Sequence, residues 1–283
     1  MLKNYFMLTK PGIIWGNAIT TAGGFMLASK GHFDFWLFLA TLVGISLVIA
    51  SGCVSNNFID REIDEKMTRT KNRALVKGLI PTRSAILFAI ILCFAGSFTL
   101  ALGTNLLTVG IALFGFFVYV VLYGIWKRRS TLGTVIGSIA GGVPPVVGYC
   151  AVSNCFDTGA FLLFMIIALW QMPHFFAIAM YRLHDYAAAG LPVLPVKKGA
   201  YITKVQMSLY IIAFTIAALM LSVFGYMGYI YMVIAVVLGA SWFALSIKGF
   251  SCANDTLWAR KMFLFSLVTV TVLCAIIPID VVT

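Results

Sequence analysis

The stretch FWLFLATLVGISLVIASGCVSNNFIDREIDE, residues 35–65, joins a long apolar segment directly to a dense group of polar residues. A helix needs about 20 mostly apolar residues to cross a bilayer, and the first part of this stretch supplies them. Its last ten residues hold four of the nine acidic residues of the chain. The stretch therefore predicts a membrane-spanning helix that brings acidic side chains to one membrane surface.

The polar residues at the end of this stretch share one side of the predicted helix. If the helix continues at about 100° per residue, Asn56, Asn57, Asp60 and Asp64 fall within an arc of roughly 100°. Magnesium prefers oxygen ligands and usually binds through one or two carboxylates together with substrate phosphates. The spacing therefore predicts a magnesium-diphosphate site at the membrane surface, with Asp60 and Asp64 as its principal ligands and Asn56 assisting.

Basic residues follow the acidic ones in the segment RTKNR, residues 69–73. Arg69, Lys71 and Arg73 are suited to bind the phosphate oxygens that the metal leaves free. The alternative is that these residues are solvated and only set the orientation of the protein in the membrane. Lys127, after a later apolar segment, has the same two interpretations.

The composition excludes a soluble enzyme and a nucleic-acid-binding protein. Hydrophobic residues make up 61% of the 283 residues and charged ones only 10%, despite a net charge of +11. Because a bilayer requires backbone polar groups to be satisfied internally, we predict an all-α polytopic protein with residues 1–283 in a single membrane domain. Nine apolar segments are predicted, at about 11–29, 34–57, 84–103, 106–126, 131–151, 159–182, 203–224, 227–247 and 258–278.

The basic residues predict the topology. Nineteen of the twenty lie before the first segment or in alternate loops, and only Lys30 lies in the other loops. Since positively charged loops face the cytoplasm, we predict a cytoplasmic amino terminus, cytoplasmic long loops and a carboxyl terminus outside. The loops after the second and sixth segments then meet at the same membrane face.

The sixth segment carries a second polar stripe. Gln171, His174, Tyr181, Arg182 and Asp185 share an arc of about 100° when projected as a helix. His174 lies deep in the segment, and an ionisable residue within the membrane is a functional candidate. The alternative is a histidine that is hydrogen-bonded to a neighbouring helix.

Small residues line one face of the fifth segment: Gly133, Gly137, Ser138, Gly141 and Gly142. Such a face permits close approach of another helix, which is the interpretation we favour over a ligand surface. The chain contains no pattern typical of a zinc site or a nucleophilic triad. Cys150 and Cys155 flank a short outer loop, where a disulfide is an option.

Four stretches together resemble one family. These are TKPGIIWGN (9–17), NNFIDREIDEKMTRTKNRALVKG (56–78), WQMPHFFAIA (170–179) and DYAAAGLPVLPVKKG (185–199). The chain resembles the intramembrane aromatic prenyltransferase superfamily, of the UbiA type, and within it the branch that uses haem as the acceptor. This resemblance covers nearly the whole chain.

The resemblance implies nine helices around a central cavity in a bacterial inner membrane. It implies farnesyl diphosphate and haem b as substrates, haem O as product and Mg²⁺ as cofactor, with haem A synthase or a terminal oxidase as assembly partner. The site residues that follow are Asn56, Asp60, Asp64 and Asp185 for catalysis, Arg69, Lys71, Arg73 and Lys127 for the diphosphate, and His174 and Tyr181 for haem. Alternatives are a prenyltransferase for a quinone precursor and a haem-handling transporter.

Two departures from the superfamily pattern bear on the metal. The first motif usually has aspartate where this chain has Asn57, and the second usually has further aspartates where Ala187, Ala188 and Ala189 follow Asp185. A symmetrical two-magnesium site is therefore not expected. We expect Asp60 and Asp64 to matter more than the other acidic residues.

Overall fold

A computed structural model describes residues 2–282, and within that range the chain is almost entirely helical. The helices are α1 (Leu2–Leu8), α2 (Pro11–Ser29), α3 (Phe35–Ile59), α4 (Arg61–Lys66), α5 (Thr82–Gly103), α6 (Leu106–Phe117), a π-helical segment (Val118–Tyr123), α7 (Gly124–Trp126), α8 (Gly133–Ser153), α9 (Thr158–Tyr181), α10 (Leu183–Ala188), α11 (Leu194–Val223), α12 (Tyr229–Lys248) and α13 (Asp255–Asp280). The only β-pairing between residues 2 and 282 is an isolated bridge of Met227 with Val281. The all-α prediction is therefore confirmed.

Eight helices between residues 2 and 282 are long and apolar enough to cross a membrane by length and composition. They are Phe35–Ile59, Thr82–Gly103, Leu106–Trp126, Gly133–Ser153, Thr158–Tyr181, Leu194–Val223, Tyr229–Ser251 and Asp255–Asp280. The predicted first segment is also helical, as the 19-residue α2, but it contains Asn17, Thr20 and Thr21. The chain is thus a multi-pass membrane protein, and each predicted apolar segment corresponds to a helix.

Glycines allow α8 to pack closely against its neighbours. A methyl group on Gly148 would lie 2.0 Å from the carbonyl oxygen of Thr21 in α2, and one on Gly24 would lie 1.9 Å from that of Pro145. On another side of α8, a methyl group on Gly141 would lie 2.0 Å from Oε1 of Gln171 in α9. No side chain fits in these gaps. Close packing thus holds at Gly141 of the small-residue face, while Gly133, Gly137 and Gly141 also line an internal cavity, so both interpretations of this face remain. The sulfur atoms of Cys150 and Cys155 are free thiols.

The helix predicted to continue through residues 56–65 is interrupted at Asp60. This residue has φ −91° and ψ 0°, so α3 ends at Ile59 and α4 begins at Arg61. The expectation of an unbroken helix is wrong here. However, the amide of Asp60 still donates to Asn56 O at 2.9 Å, and that of Asp64 donates to Asp60 O at 2.8 Å. The hydrogen-bond succession of a helix is preserved across the break, and the polar side chains still face one cavity.

Candidate active site

A cavity of about 1280 Å³ lies inside the helical bundle. Sites for drug-sized ligands are typically about 300–1,000 Å³, so this cavity is large enough for more than one small substrate. One part of its wall carries the charged residues Lys10, Asp60, Asp64, Arg73 and Lys127, whereas other parts are formed by Ile45, Val143, Ile167 and Val270. The cavity suits an amphiphile with a charged head and an apolar tail.

The two aspartates at the charged end are each paired with a base. Lys127 Nζ lies 2.5 Å from Asp60 Oδ2, and Arg73 Nη1 lies 2.5 Å from Asp64 Oδ2. Arg128 Nη2 lies 3.6 Å from Asp60 Oδ1 and also donates to the carbonyl of Ile59. Because a buried carboxylate is costly unless it is paired, these bases stabilise the acidic cluster without a ligand.

The two asparagines connect this cluster to the amino-terminal segment. Lys10 Nζ donates to Asn56 Oδ1 at 2.8 Å, and Asn57 Nδ2 donates to the carbonyl of Leu8 at 2.8 Å. Three buried polar atoms nearby have no hydrogen-bond partner within residues 2–282: Asn56 Nδ2, Asn57 Oδ1 and Asp60 Oδ1. Buried polar atoms in proteins are nearly always hydrogen-bonded, so three unpartnered atoms together show that the polar groups of this cluster are incompletely satisfied.

The donor set fits a magnesium ion that is shared with a substrate phosphate. Two carboxylates and an amide oxygen suit magnesium, which commonly takes its remaining ligands from phosphate and water. Asp60 Oδ1 is free of hydrogen bonds, while Asp64 and the Asn56 oxygen are held by Arg73 and Lys10. Among residues 2–282, no cluster of three or more His, Cys, Asp or Glu residues forms a metal cage. The protein thus offers few ligands of its own, and a diphosphate would supply the others.

Burial alters the two lysines that face the acids. It lowers the pKa of Lys10 to about 8, and the neighbouring Cys53, Asp60 and Asp64 oppose this effect only in part. Burial also lowers the pKa of Lys127, against the opposing effect of Asp60. An anion in the cavity would replace lost hydration around both ammonium groups and favour their charged forms.

The loop after α9 meets the loop after α4, as the topology predicts. Asp185 Oδ1 accepts a hydrogen bond from the backbone amide of Thr68 at 3.2 Å. Asp185 does not line the cavity, whereas the adjacent Tyr186 does. Asp185 therefore holds the first loop in place and does not face the cavity.

The structure separates the predicted site residues into two groups. Asn56, Asp60, Asp64, Arg69, Arg73, Lys127 and His174 line the cavity, whereas Lys71, Tyr181 and Asp185 do not. Lys71 is solvent-exposed. The ring of Tyr181 packs between Phe263, with centroids 5.8 Å apart, and the guanidinium of Arg182 at 5.0 Å.

His174 lies on the cavity wall and is 9% exposed. Its Nδ1 lies 2.7 Å from Ser266 Oγ in α13, and its ring stacks on Trp170 with centroids 4.7 Å apart. The histidine is hydrogen-bonded to a neighbouring helix, as the alternative interpretation expects, and its place on the cavity wall keeps it a functional candidate.

Sequence reasoning missed the contacts of Lys10, of two stacked tyrosines and of Ser266. Lys10 entered the sequence analysis only as one of the basic residues before the first segment and as part of the stretch 9–17. Tyr119 and Tyr123 stack with centroids 5.6 Å apart on the π-helical segment, and Lys127 Nζ lies 4.9 Å from the Tyr123 ring. π-Helical turns occur often at functional sites, but this one has no sequence signal. Ser266 also had no signal, since it is 92 residues from His174.

Comparison with known proteins gives consistent results at two levels. The profile of the UbiA prenyltransferase family matches residues 17–268. The protoheme IX farnesyltransferase of Cronobacter sakazakii (strain ATCC BAA-894) is 54% identical over 281 residues, which are 99% of this chain and 95% of that protein.

Solved structures share the fold at low sequence identity. A structure from work on digeranylgeranylglyceryl phosphate synthase has a TM-score of 0.75 and 19% identity over 96% of this chain and 98% of its own. The UbiA homologue from Archaeoglobus fulgidus bound to GPP and Mg²⁺ has a TM-score of 0.71 and 16% identity, over 97% of this chain and 99% of its own.

Proposed function

The chain belongs to the UbiA prenyltransferase family, among the protoheme IX farnesyltransferases, and we propose that it transfers the farnesyl group of farnesyl diphosphate to a vinyl group of haem b. Water adds in the same reaction, and the products are haem O and diphosphate. The observation that carries this proposal is the large cavity, with unpartnered buried polar atoms beside Asp60 and Asp64 at one part of its wall and apolar walls elsewhere.

At the charged end, bases and acids exchange partners when the substrate binds. In the structure, Lys10 is hydrogen-bonded to Asn56. Arg73 forms an ion pair with Asp64, and Lys127 forms one with Asp60. These three bases move to the phosphate oxygens, which releases the oxygens of Asn56, Asp60 and Asp64 for magnesium. When bound, magnesium supplies charge neutralisation for a diphosphate leaving group. Arg69, which also lines the cavity, adds a further donor.

The bases act most strongly as the allylic C–O bond breaks. Negative charge then accumulates on the departing diphosphate, and donors already aimed at this charge lower the barrier. The electron pair of the terminal vinyl carbon of haem forms a bond to C1 of the farnesyl group. The positive charge passes to the carbon next to the porphyrin, where a water oxygen adds and loses one proton.

The apolar walls orient the two substrates and limit the access of water. Ile167, Phe175 and Val270 line the same cavity as His174, and this proposal places haem beside His174. A bundle that positions both reactants needs no protein nucleophile, because the electron pair comes from the haem vinyl group. His174 is the residue we assign to haem contact.

In this proposal the protein lies in a bacterial inner membrane. The charged end of the cavity and the loops after the second and sixth apolar segments face the cytoplasm. The asymmetric distribution of basic residues supports this orientation, which places the amino terminus inside and the carboxyl terminus outside. A haem A synthase or terminal oxidase receives the product.

The decisive experiment is chromatography of haem extracted from cells with and without the gene. Haem O should be present only with the gene, and purified protein in bilayers should release one diphosphate per haem O formed. An aromatic quinone precursor, offered in place of haem b, should not be prenylated. Prenylation of that compound, or haem binding without diphosphate release, would contradict the proposal.

A further inference from the structure

The hydrogen bond between His174 and Ser266 defines which ring nitrogen of the histidine carries the proton. Ser266 Oγ lies 2.6 Å from the carbonyl oxygen of Phe263, one turn earlier in α13. Two oxygens approach this closely only with a hydrogen between them, so the serine hydroxyl donates to that carbonyl. A serine has one hydroxyl hydrogen, and the hydroxyl is therefore an acceptor toward His174.

The bond from His174 Nδ1 to Ser266 Oγ, 2.7 Å long, consequently uses a proton on Nδ1. In a neutral imidazole the other nitrogen, Nε2, is then unprotonated and has a free lone pair. Within residues 2–282, Nε2 has no hydrogen-bond partner and is not among the fully enclosed unpartnered atoms. Since His174 lines the cavity, this lone pair is accessible from it.

The surroundings keep the ring in this position. Ser266 is fully buried, and its own carbonyl accepts a hydrogen bond from Trp170 Nε1 at 2.9 Å. Trp170 precedes His174 by one helical turn and stacks on it. Phe263 covers the ring from α13, with centroids 5.0 Å apart. Ser266 thus anchors two cavity residues of α9 that are one helical turn apart, one through its carbonyl and the other through its hydroxyl.

We propose that Ser266 is a positioning residue that holds His174 as the Nδ1–H tautomer, so that Nε2 binds the iron of haem b and orients its vinyl group. This inference rests on haem as the acceptor in the proposed function. A neutral imidazole nitrogen is a common iron ligand, and the hydrogen bond at its other nitrogen sets tautomer and ring orientation. The hydrogen bond from Trp170 Nε1 to the backbone carbonyl of Ser266 would remain in a variant that lacks only the hydroxyl.

The first test measures the tautomer in the haem-free protein. The chain has only three histidines, so ¹⁵N-histidine labelling in bilayers gives a simple spectrum, and His174→Gln assigns the signal. Wild type should show Nδ1 protonated and Nε2 unprotonated, and Ser266→Ala should lose this preference. A protonated Nε2 in the wild type would overturn the proposal, whatever the enzymatic activity.

The second test measures the iron ligand and the affinity for haem b. Wild type should show the iron–histidine stretching band of ferrous haem in resonance Raman spectra, and His174→Gln should lose it. Ser266→Ala should weaken haem binding by about 10–100-fold, the usual effect of losing such a partner. Ser266→Thr, which keeps the hydroxyl, should retain most of the binding.

Thr269→Ala is the matched control, because Thr269 is fully buried in the same helix and donates only to the carbonyl of Phe265. It should leave haem affinity and the Raman band unchanged. Equal haem affinity and an identical band in Ser266→Ala and wild type would overturn the proposal. If the band is present but no farnesyl is transferred, the proposed function fails while the role of Ser266 stands.

Discussion

The end of α3 and the end of α9 have the same backbone course. Each long helix stops at one residue with a bridge-like conformation, Asp60 in the first case and Arg182 in the second, and a six-residue helix follows. At the end of α9, the amide of Arg182 donates to Ile178 O and that of Tyr186 donates to Arg182 O. At the end of α3, the amides of Asp60 and Asp64 donate in the same way to the carbonyl oxygens four residues earlier. Positions 56, 60 and 64 therefore correspond to positions 178, 182 and 186.

The side chains at these matched positions differ in chemistry. The first end has Asn56, Asp60 and Asp64, whereas the second has Ile178, Arg182 and Tyr186. Both ends contribute to the cavity wall, but only the first carries carboxylates there. The acidic residue of the second end, Asp185, instead bonds to the backbone of the first loop. One scaffold is thus used twice, once to present carboxylates to the cavity and once to support the loop beside them.

Removal of divalent metal tests whether the acidic end depends on an ion. EDTA should stop farnesyl transfer completely, because the bases alone cannot replace a metal between the carboxylates and a diphosphate. Added Mg²⁺ should restore diphosphate release. Activity that persists in EDTA would assign Asp60 and Asp64 a purely structural role.

Substitution of the acidic side chains at the end of α3 should lower activity far more than substitution at the end of α9. Asp60→Asn and Asp64→Asn should each lower kcat/KM by at least about 10²–10³-fold, as the loss of other preorganised charge-stabilising groups does. The control is Glu62→Gln, since Glu62 is exposed and its one ion pair within residues 2–282 is with Arg61, at 3.5 Å. Initial rates in membranes check this, with protein amounts measured by immunoblot. A similar loss in the Glu62 variant would contradict a local effect.

Arg73 and Lys71 form a second matched pair in the first loop. Arg73→Ala should cost about 1.5–3 kcal/mol, the value of a hydrogen bond to a charged group. This is roughly 10–150-fold in kcat/KM. Lys71→Ala should stay near wild type, because Lys71 is exposed and outside the cavity. Steady-state kinetics with varied farnesyl diphosphate measure both, and equal effects would show that the loop rearranges around the substrate.

The smallest expected effect is at the second end. Asp185→Ala removes the acceptor for the Thr68 amide and should cost about 1 kcal/mol, or roughly fivefold in kcat/KM. Asp185→Asn keeps an acceptor oxygen and should be close to wild type. If both variants are as inactive as Asp64→Asn, Asp185 takes part in the chemistry, and the two ends are more alike than their side-chain contacts indicate.

The sequence allowed the fold and one wall of the site to be predicted. Spans follow from apolar length, and the shared face of Asn56, Asp60 and Asp64 follows from the helical period, which is local information. Lys71 and Tyr181 were predicted to belong to the site, but neither lines the cavity. A helical projection does not say which neighbouring element a side chain contacts. Arg73 could be assigned to the site from the sequence because it follows Asp64 by only 9 residues in the chain.

By itself, the sequence determined a polytopic helical membrane protein with an acidic helix end, since hydrophobicity and periodicity act within one segment. Only the tertiary structure decided that Lys10 bonds to Asn56, that Asp185 supports the first loop and that Ser266 bonds to His174. These pairs are 46, 117 and 92 residues apart in the chain. Such contacts arise from helix packing, in which gaps at glycines such as Gly148 bring particular faces together.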